Sequence, residues 1–284
     1  MKLMRVIQTT DGIFLELDDR VVRTDFDSID PVFTMSDPIR ELESLANSAS
    51  GSKSSANTVD RVSGEPLPPL GSQEIWAAGV TYETSRSERE KESSAGGGSE
   101  FYRRVYDAAR PEIFYKGNKR TTVGDGALIR VRADSHWTVP EPELGVAVSA
   151  AGRVFGYVVA NDVSSRDIEG ENPLYLPQAK IYRGSCAIGP ALVVCSEPPS
   201  RATIISLIIA RAGHEAFSGT TELSRLRRPV DELVSYLVAD NDFPTGAYLL
   251  TGTGIVPPGE FTLESRDVVT VKIDGIGVLT NTVA

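Results

Sequence analysis

Apolar and polar residues alternate along much of the chain with a period of two, the spacing that places successive side chains on opposite faces of a strand. Residues 1–35 run through Val6, Ile13, Leu15, Leu17, Val21 and Phe33, with turn signals at Asp11-Gly12 and Asp18-Asp19. This predicts a short antiparallel meander. The pattern then changes. Asp37 is a good N-cap and Pro38 suits a first helical position, so residues 36–50 are expected to form one capped helix. The small polar stretch from Ala49 to Ser55 predicts a loop, and Pro66, Pro68 and Pro69 punctuate the chain before a larger unit. We therefore expect a small N-terminal α+β domain over residues 1–68 and a second domain over 71–284. From Ile75 onward the apolar runs are short and rich in valine and isoleucine: Ala127–Val131, Leu144–Val148, Val154–Val159, Ala191–Val194, Ile204–Ala210, Tyr248–Leu250 and Val268–Ile273. The fold class expected is α+β and mostly β, with helices near 100–109 and 229–239 and no solenoid repeat.

Composition narrows the partners. With 29 Lys+Arg against 39 Asp+Glu the formal net charge is −10, and no compact basic patch is present. Such a chain has no general attraction for phosphate backbones or anionic lipid, so nucleic acid is excluded as a partner. The N-terminal residues Met1–Val6 lack a signal-peptide core, and no run approaches the roughly 18 apolar residues of a membrane span. A cytoplasmic protein without a membrane partner is the expectation. Cys186 and Cys195 fit neither a metal nor a redox spacing and are expected to be buried thiols. Residues 85–99 are charged and then glycine-rich, which suits a mobile surface loop or a lid over a ligand.

Candidate chemistry concentrates in Pro140-Glu141-Pro142-Glu143-Leu144. Glutamates at i and i+2 on a strand share a face, where two like charges repel unless a cation joins them. Magnesium, which prefers carboxylate oxygen, is such a cation. Residues 149–153 read as a hairpin connection to Val154–Asp162. Facing residues of an antiparallel pair have a constant sum of numbers, here about 303 for a turn centred on residues 151 and 152. Glu141 then faces Asp162, give or take a one-residue bulge, and Glu141, Glu143 and Asp162 form one predicted metal site. Two further segments carry chemistry more weakly. Glu112, Phe114 and Lys116 share one face of a strand whose alternating charges also suit a solvated edge. Lys180, before the small-residue run 184–187, is either a salt-bridge partner or, beside a metal site, an acid, base or anion binder. His136 and His214 are read as structural, because imidazole is a poorer magnesium ligand than carboxylate.

Glu141-x-Glu143, Asp162-Val163-Ser164-Ser165-Arg166-Asp167, Gln178-x-Lys180, Thr251-Gly252-Thr253 and Asp274–Asn281 together resemble the fumarylacetoacetate hydrolase family over about residues 71–283. The resemblance implies a mixed β-roll catalytic domain after a smaller N-terminal domain, a Glu-x-Glu…Asp site for Mg²⁺ (Mn²⁺ being the alternative), and a homodimer or homotetramer. One departure bears on the reaction. Family hydrolases carry Asn-Tyr-x-x-His, whose histidine pairs with a glutamate to activate water. Here the segment is Thr81-Tyr82-Glu83-Thr84-Ser85, so Ser85 replaces the histidine and Glu88 has lost its partner. The loop after Gly252 departs too. Segments 105–114, 137–144 and 171–178, and more weakly residues 1–6, are most similar to family members that dehydrate sugar acids.

The resemblance thus implies β-elimination of water from a small 2-oxo acid, a 2-keto-3-deoxypentonate (2-dehydro-3-deoxy-D-arabinonate), giving 2,5-dioxopentanoate. One of Lys180 and Glu112 would take the C3 proton and the other would assist departure of the C4 hydroxyl. Thr81, Ser85, Phe114, Arg166, Gln178, Thr251 and Thr253 are the expected substrate contacts. The alternatives are an acylpyruvate-type C–C hydrolase, an oxaloacetate decarboxylase, or a non-catalytic binding protein on the same scaffold.

Overall fold

The three opening strands form as the alternation predicts. In the computed structural model, which describes residues 4–18, 20–49, 58–85 and 104–284, β1 (Met4–Thr9), β2 (Gly12–Leu17) and β3 (Arg20–Arg23) pair antiparallel. The meander ends earlier than expected, because Phe33 lies in a short helix, α1 (Asp30–Thr34), not in extended chain. Pro31 presets a helical φ in the first turn, and Phe33 is buried edge-on against Phe155 and Tyr248 at 5.0 and 5.2 Å. Helix α2 (Pro38–Ala49) is capped as predicted. Asp37 Oδ1 accepts from Arg40 N at 3.2 Å, and Glu41 Oε1 accepts from Asp37 N at 3.0 Å. The loop expected over 49–55 falls almost wholly outside the described residues, as does nearly all of the 85–99 segment.

Downstream come β4 (Thr58–Val59), β5 (Glu74–Gly79), β6 (Glu112–Gly117), β7 (Thr122–Val123), β8 (Leu128–Ile129), β9 (Thr138–Val139), β10 (Pro142–Val148), β11 (Val154–Asp162) and β12 (Ser164–Ser165). Helices α3 (Arg166–Glu171) and α4 (Leu176–Lys180) follow, then β13 (Cys186–Val194), β14 (Ile204–Arg211) and β15 (His214–Glu222). Helix α5 (Val230–Leu237), β16 (Ala247–Leu250), β17 (Val268–Ile273) and β18 (Gly277–Val283) complete the chain, and residues 104–107 are also helical. All seven apolar runs read from the sequence contain or overlap strands.

A large sheet runs in the order β4-β3-β2-β1-β13-β11-β10-β16-β5-β6, with β7 beside β13. The N-terminal meander is thus hydrogen-bonded through β1 to β13, at Val6↔Leu192. A five-stranded sheet, β15-β14-β17-β18-β8, packs on one face of the large sheet together with α5. Between them lies a core that includes Leu144, Val146, Val159, Leu207, Val271 and Leu233. Helices α1 and α2 cover part of the opposite face, where Phe33, Leu42 and Ala46 meet Ala147, Val158 and Leu250. With both faces covered, every residue of β10 is buried. Among the described residues no helix is long and apolar enough to cross a membrane.

Candidate active site

Strand β10 carries the site because its two faces part. Leu144, Val146 and Val148 enter the core between the sheets, while Ala147 enters the core under α1 and α2. Glu143 and Glu141 continue the Ala147 row towards the start of the strand. The register with β11 is Pro142↔Asn161 and Glu143↔Ala160, a constant sum of 303, and Asp162 N donates to Glu141 O at 2.9 Å. A bulge does occur, but at Ala147/Val148 beside the turn, where it leaves the carboxylates in register. Glu141, Glu143 and Asp162 are 4, 2 and 1% exposed, and each offers an oxygen within 4.8 Å of the others.

Three buried cations stand against this cluster. Lys180, at the end of α4, donates from Nζ to Glu141 Oε2 at 2.6 Å, to Ser164 Oγ at 2.6 Å and to Asp162 Oδ2 at 3.2 Å. Arg166, at the start of α3, pairs through Nη2 with Glu141 Oε1 at 2.7 Å. Lys116 on β6 lies 2.6 Å from Asp162 Oδ1 and donates to Val163 O and Lys180 O at 3.1 and 2.5 Å. Lys116 was legible only as one face-mate of Glu112 and Phe114 on a strand that suits a solvated edge. β6 is indeed an edge strand by sheet order, yet Lys116 is 0% exposed.

Glu143 differs from its two neighbours. Among the described residues it has no ion pair, and its hydrogen bond comes from Gly252 N at 2.5 Å. Burial, then the charges of Asp162 and Glu141, push its carboxyl well above the usual carboxylate range. A buried carboxylate left without a cation is costly, and a hard divalent ion among three carboxylate oxygens would offset that cost. The donor set therefore fits Mg²⁺, with Glu141, Glu143 and Asp162 as ligands. Gly252 is a required glycine here. Its φ is +89°, and a Cβ would lie 2.0 Å from Thr81 Oγ1.

Beside the carboxylates lies a narrow, largely enclosed cleft. Lys180, Glu112, Phe114, Ser85 and Thr253 line it with the triad, and so does Glu169. Lys180 Nζ sits 5.5 Å from the Phe114 ring centroid. Glu112 lies over Gly79 of the neighbouring strand, where a Cβ would fall 2.1 Å from Glu112 Oε2. Val80, also lining the cleft, holds a φ of +53°, a strained value for a β-branched residue. Ser85 Oγ donates to Tyr82 O at 2.8 Å.

Thr81 and Thr251 are buried in the framework beside the cleft. Thr81 Oγ1 donates to Thr251 O at 2.6 Å and Thr251 Oγ1 to Leu144 O at 3.0 Å, tying the ends of β5, β16 and β10 together. Gln178 is exposed and does not line the cleft. Its carbonyl accepts from Arg132 Nη1 at 3.1 Å. Glu169 escaped the sequence reading, although its spacing of three from Arg166 places both on one face of α3. Both are buried. His136 and His214 are exposed. Cys186 and Cys195 are free and buried, their thiols pushed up to about 12 and about 11, first by burial.

Residues 74–284 match the fumarylacetoacetate (FAA) hydrolase C-terminal family. The chain belongs to the fumarylacetoacetate hydrolase family. Among its relatives in that family, the 2-dehydro-3-deoxy-D-arabinonate dehydratase of Saccharolobus solfataricus is 44% identical over 213 residues, 74% of this chain and 72% of that one. A probable 2-keto-3-deoxyxylonate dehydratase of Haloferax volcanii is 49% identical over 216 residues, 76% of this chain and 73% of its own. A solved structure of 2-keto-3-deoxy-D-arabinonate dehydratase complexed with magnesium and 2,5-dioxopentanoate superposes with a TM-score of 0.79 at 35% identity, covering 100% of this chain and 98% of that one. The mixed, mostly β family fold expected from the sequence is therefore the fold found.

Proposed function

We propose that this chain is a Mg²⁺-dependent hydro-lyase that converts 2-keto-3-deoxypentonate (2-dehydro-3-deoxy-D-arabinonate) to 2,5-dioxopentanoate, also called α-ketoglutarate semialdehyde. The observation that carries the reading is the make-up of the cleft. A buried carboxylate triad, an ammonium and two further glutamates line it together, while Ser85, which stands in the sequence where the family resemblance expects the water-activating histidine, is bonded to a backbone carbonyl. A site without that base suits loss of water better than attack by water. The dehydratase relatives, and the magnesium and dioxo acid named with one of them, support the same reading.

Mg²⁺, held by Glu141, Glu143 and Asp162, would supply Lewis acidity towards the substrate's carboxylate and 2-keto oxygen. The protein's own residues do the rest. Phe114, beside Lys180 Nζ, walls the cleft together with Ser85 and Thr253, whose hydroxyls donate to Tyr82 O and Ile255 O and present only their oxygens to the substrate. Lys180 and Glu112 divide the proton work: one removes a proton from C3, and the other protonates the departing C4 hydroxyl. Arg166 acts through Glu141, and Thr81 and Thr251 act through the framework they tie. We further place the protein in non-phosphorylative pentose degradation in the cytoplasm, as a homodimer or homotetramer.

The test is direct. Purified protein with Mg²⁺ and 2-keto-3-deoxypentonate should release a trappable aldehyde, and chelation should stop it. Pyruvate released from an acylpyruvate, or from oxaloacetate by loss of carbon dioxide, with no aldehyde from the sugar acid, would overturn the proposal in favour of a hydrolase or a decarboxylase.

A further inference from the structure

Resting on that dehydratase reading, we infer that Glu169 is the base for a second proton transfer, at C5, which completes the reaction on the protein. The stoichiometry requires such a step. Loss of a C3 proton and the C4 hydroxyl leaves 5-hydroxy-2-oxopent-3-enoate, in which C5 is still an alcohol carbon. A carbonyl at C5 appears only after isomerisation. A proton leaves C5, the electron pair shifts through C4=C3 to the 2-keto oxygen, and C3 takes up a proton. The resulting C4=C5 enol then accepts a proton at C4 and gives up its hydroxyl proton. Two protons leave and two arrive, so no oxidant or reductant is needed.

The first elimination and this isomerisation act on carbons two bonds apart. Among the described residues five carboxylates line the cleft, and three of them form the triad. Glu112 and Glu169 remain, and they enter from different elements, β6 and α3. With Lys180 and Glu112 engaged in the elimination, Glu169 is the further carboxylate that the described lining of the cleft offers for C5. It is 3% exposed, so its wall of the cleft is dry enough for a carboxylate to act on a carbon acid. Its placement is also fixed. Arg166, three residues earlier on α3, is anchored at 2.7 Å to Glu141, so the helix that carries Glu169 is tied to the metal-binding triad.

Glu169→Gln separates the two halves of the reaction. The variant should still consume 2-keto-3-deoxypentonate at no less than about a tenth of the wild-type rate. Aldehyde should form at least about a hundredfold more slowly, the usual worth of a positioned base. The conjugated enone should accumulate, read by its ultraviolet absorbance and by mass. Aldehyde formed in step with substrate loss, or substrate left untouched, overturns the assignment of Glu169 while leaving the dehydratase reading in place. A wild-type protein that makes no aldehyde overturns both. The wild type supplies a second measurement, independent of how the variant folds. Substrates carrying a single deuterium at C5, in each of the two configurations, should lose the label from one and keep it in the other. Equal loss from both would mean that no fixed base faces C5, and the inference falls.

Discussion

At the scale of single residues, Glu143 holds the balance of the site. Glu141 and Asp162 each face buried cations, whereas Glu143 has a backbone N–H and, among the described residues, no ion pair. The raised proton affinity of its carboxyl, due first to burial, means that the metal-free protein holds a group that disfavours its own charge. Glu143→Gln should therefore fold, and in the metal-free state at neutral pH it should melt no lower than the wild type. It should also lose Mg²⁺ affinity by at least about a hundredfold, exceeding the usual cost of losing a partner behind the ligands, and lose the aldehyde-forming activity with it. Calorimetric titration with Mg²⁺ and a thermal melt read both, and a variant that still bound the ion tightly would refute the ligand assignment. Lys116 gives the opposite pattern. Lys116→Met removes one partner of a fully buried pair and should cost about 3–5 kcal/mol in denaturant unfolding, more than any surface charge would.

At the scale of elements, the site is where the ends of β5, β6, β10, β11 and β16 meet two short helices, and legibility follows from how local each contact is. The Glu141–Asp162 pairing was readable because a hairpin ties register to residue number, and the sum of 303 holds along most of β10 and β11. The capped helix α2 was readable for the same local reason. Phe33 was misread because the strand-like alternation ran on into Asp30-Pro31, a helix start that a single proline does not announce. Lys116 and Glu169 needed the third dimension. Nothing near Lys116 in sequence shows that Asp162 will accept its charge or that α4 will lay a carbonyl on it. The placement of Gln178 outside the cleft is likewise decided by how α4 lies. Gly252 yields the test at this scale. Gly252→Ala puts a Cβ on Thr81 Oγ1 at a backbone conformation that alanine avoids, displacing the N–H that Glu143 accepts. Stability should fall by about 1–3 kcal/mol, and Mg²⁺ affinity should fall with it. A variant with a lower melting temperature and unchanged ion affinity would show that the N–H does not organise the ligand.

For the whole molecule, folding, protonation and metal binding are linked through one buried cluster. In the unfolded chain Glu143 ionises near its ordinary value of about 4.5, whereas in the metal-free fold its proton is held to a higher pH. Between those two values the folded state binds the extra proton, so this group's contribution to stability is whole below the lower value and is lost as pH rises through the window. Metal binding has the opposite sign. The ion requires the carboxylate and must expel that proton, so its affinity rises with pH until the folded group is ionised, and levels off above. The two slopes add in one observable, the gap in melting temperature between Mg²⁺-loaded and metal-stripped protein. Saturation with the ion stabilises by RT ln(1 + [Mg²⁺]/Kd), so the gap measured at about 10 mM Mg²⁺ should widen as pH rises above the ordinary carboxylate value of 4.5 and level off once the folded group is ionised. Titrations in buffers of different ionisation enthalpy should show release of up to about one proton per ion in the range where the gap still widens. Carboxylates elsewhere contribute equally to loaded and stripped protein and cancel in the difference, which is why the gap isolates the cluster. In Glu143→Gln the pH dependence of the gap should vanish together with the gap. A gap of constant size across the range would mean that Glu143 is already ionised in the metal-free fold, with its charge met by Lys180 in place of a metal ion.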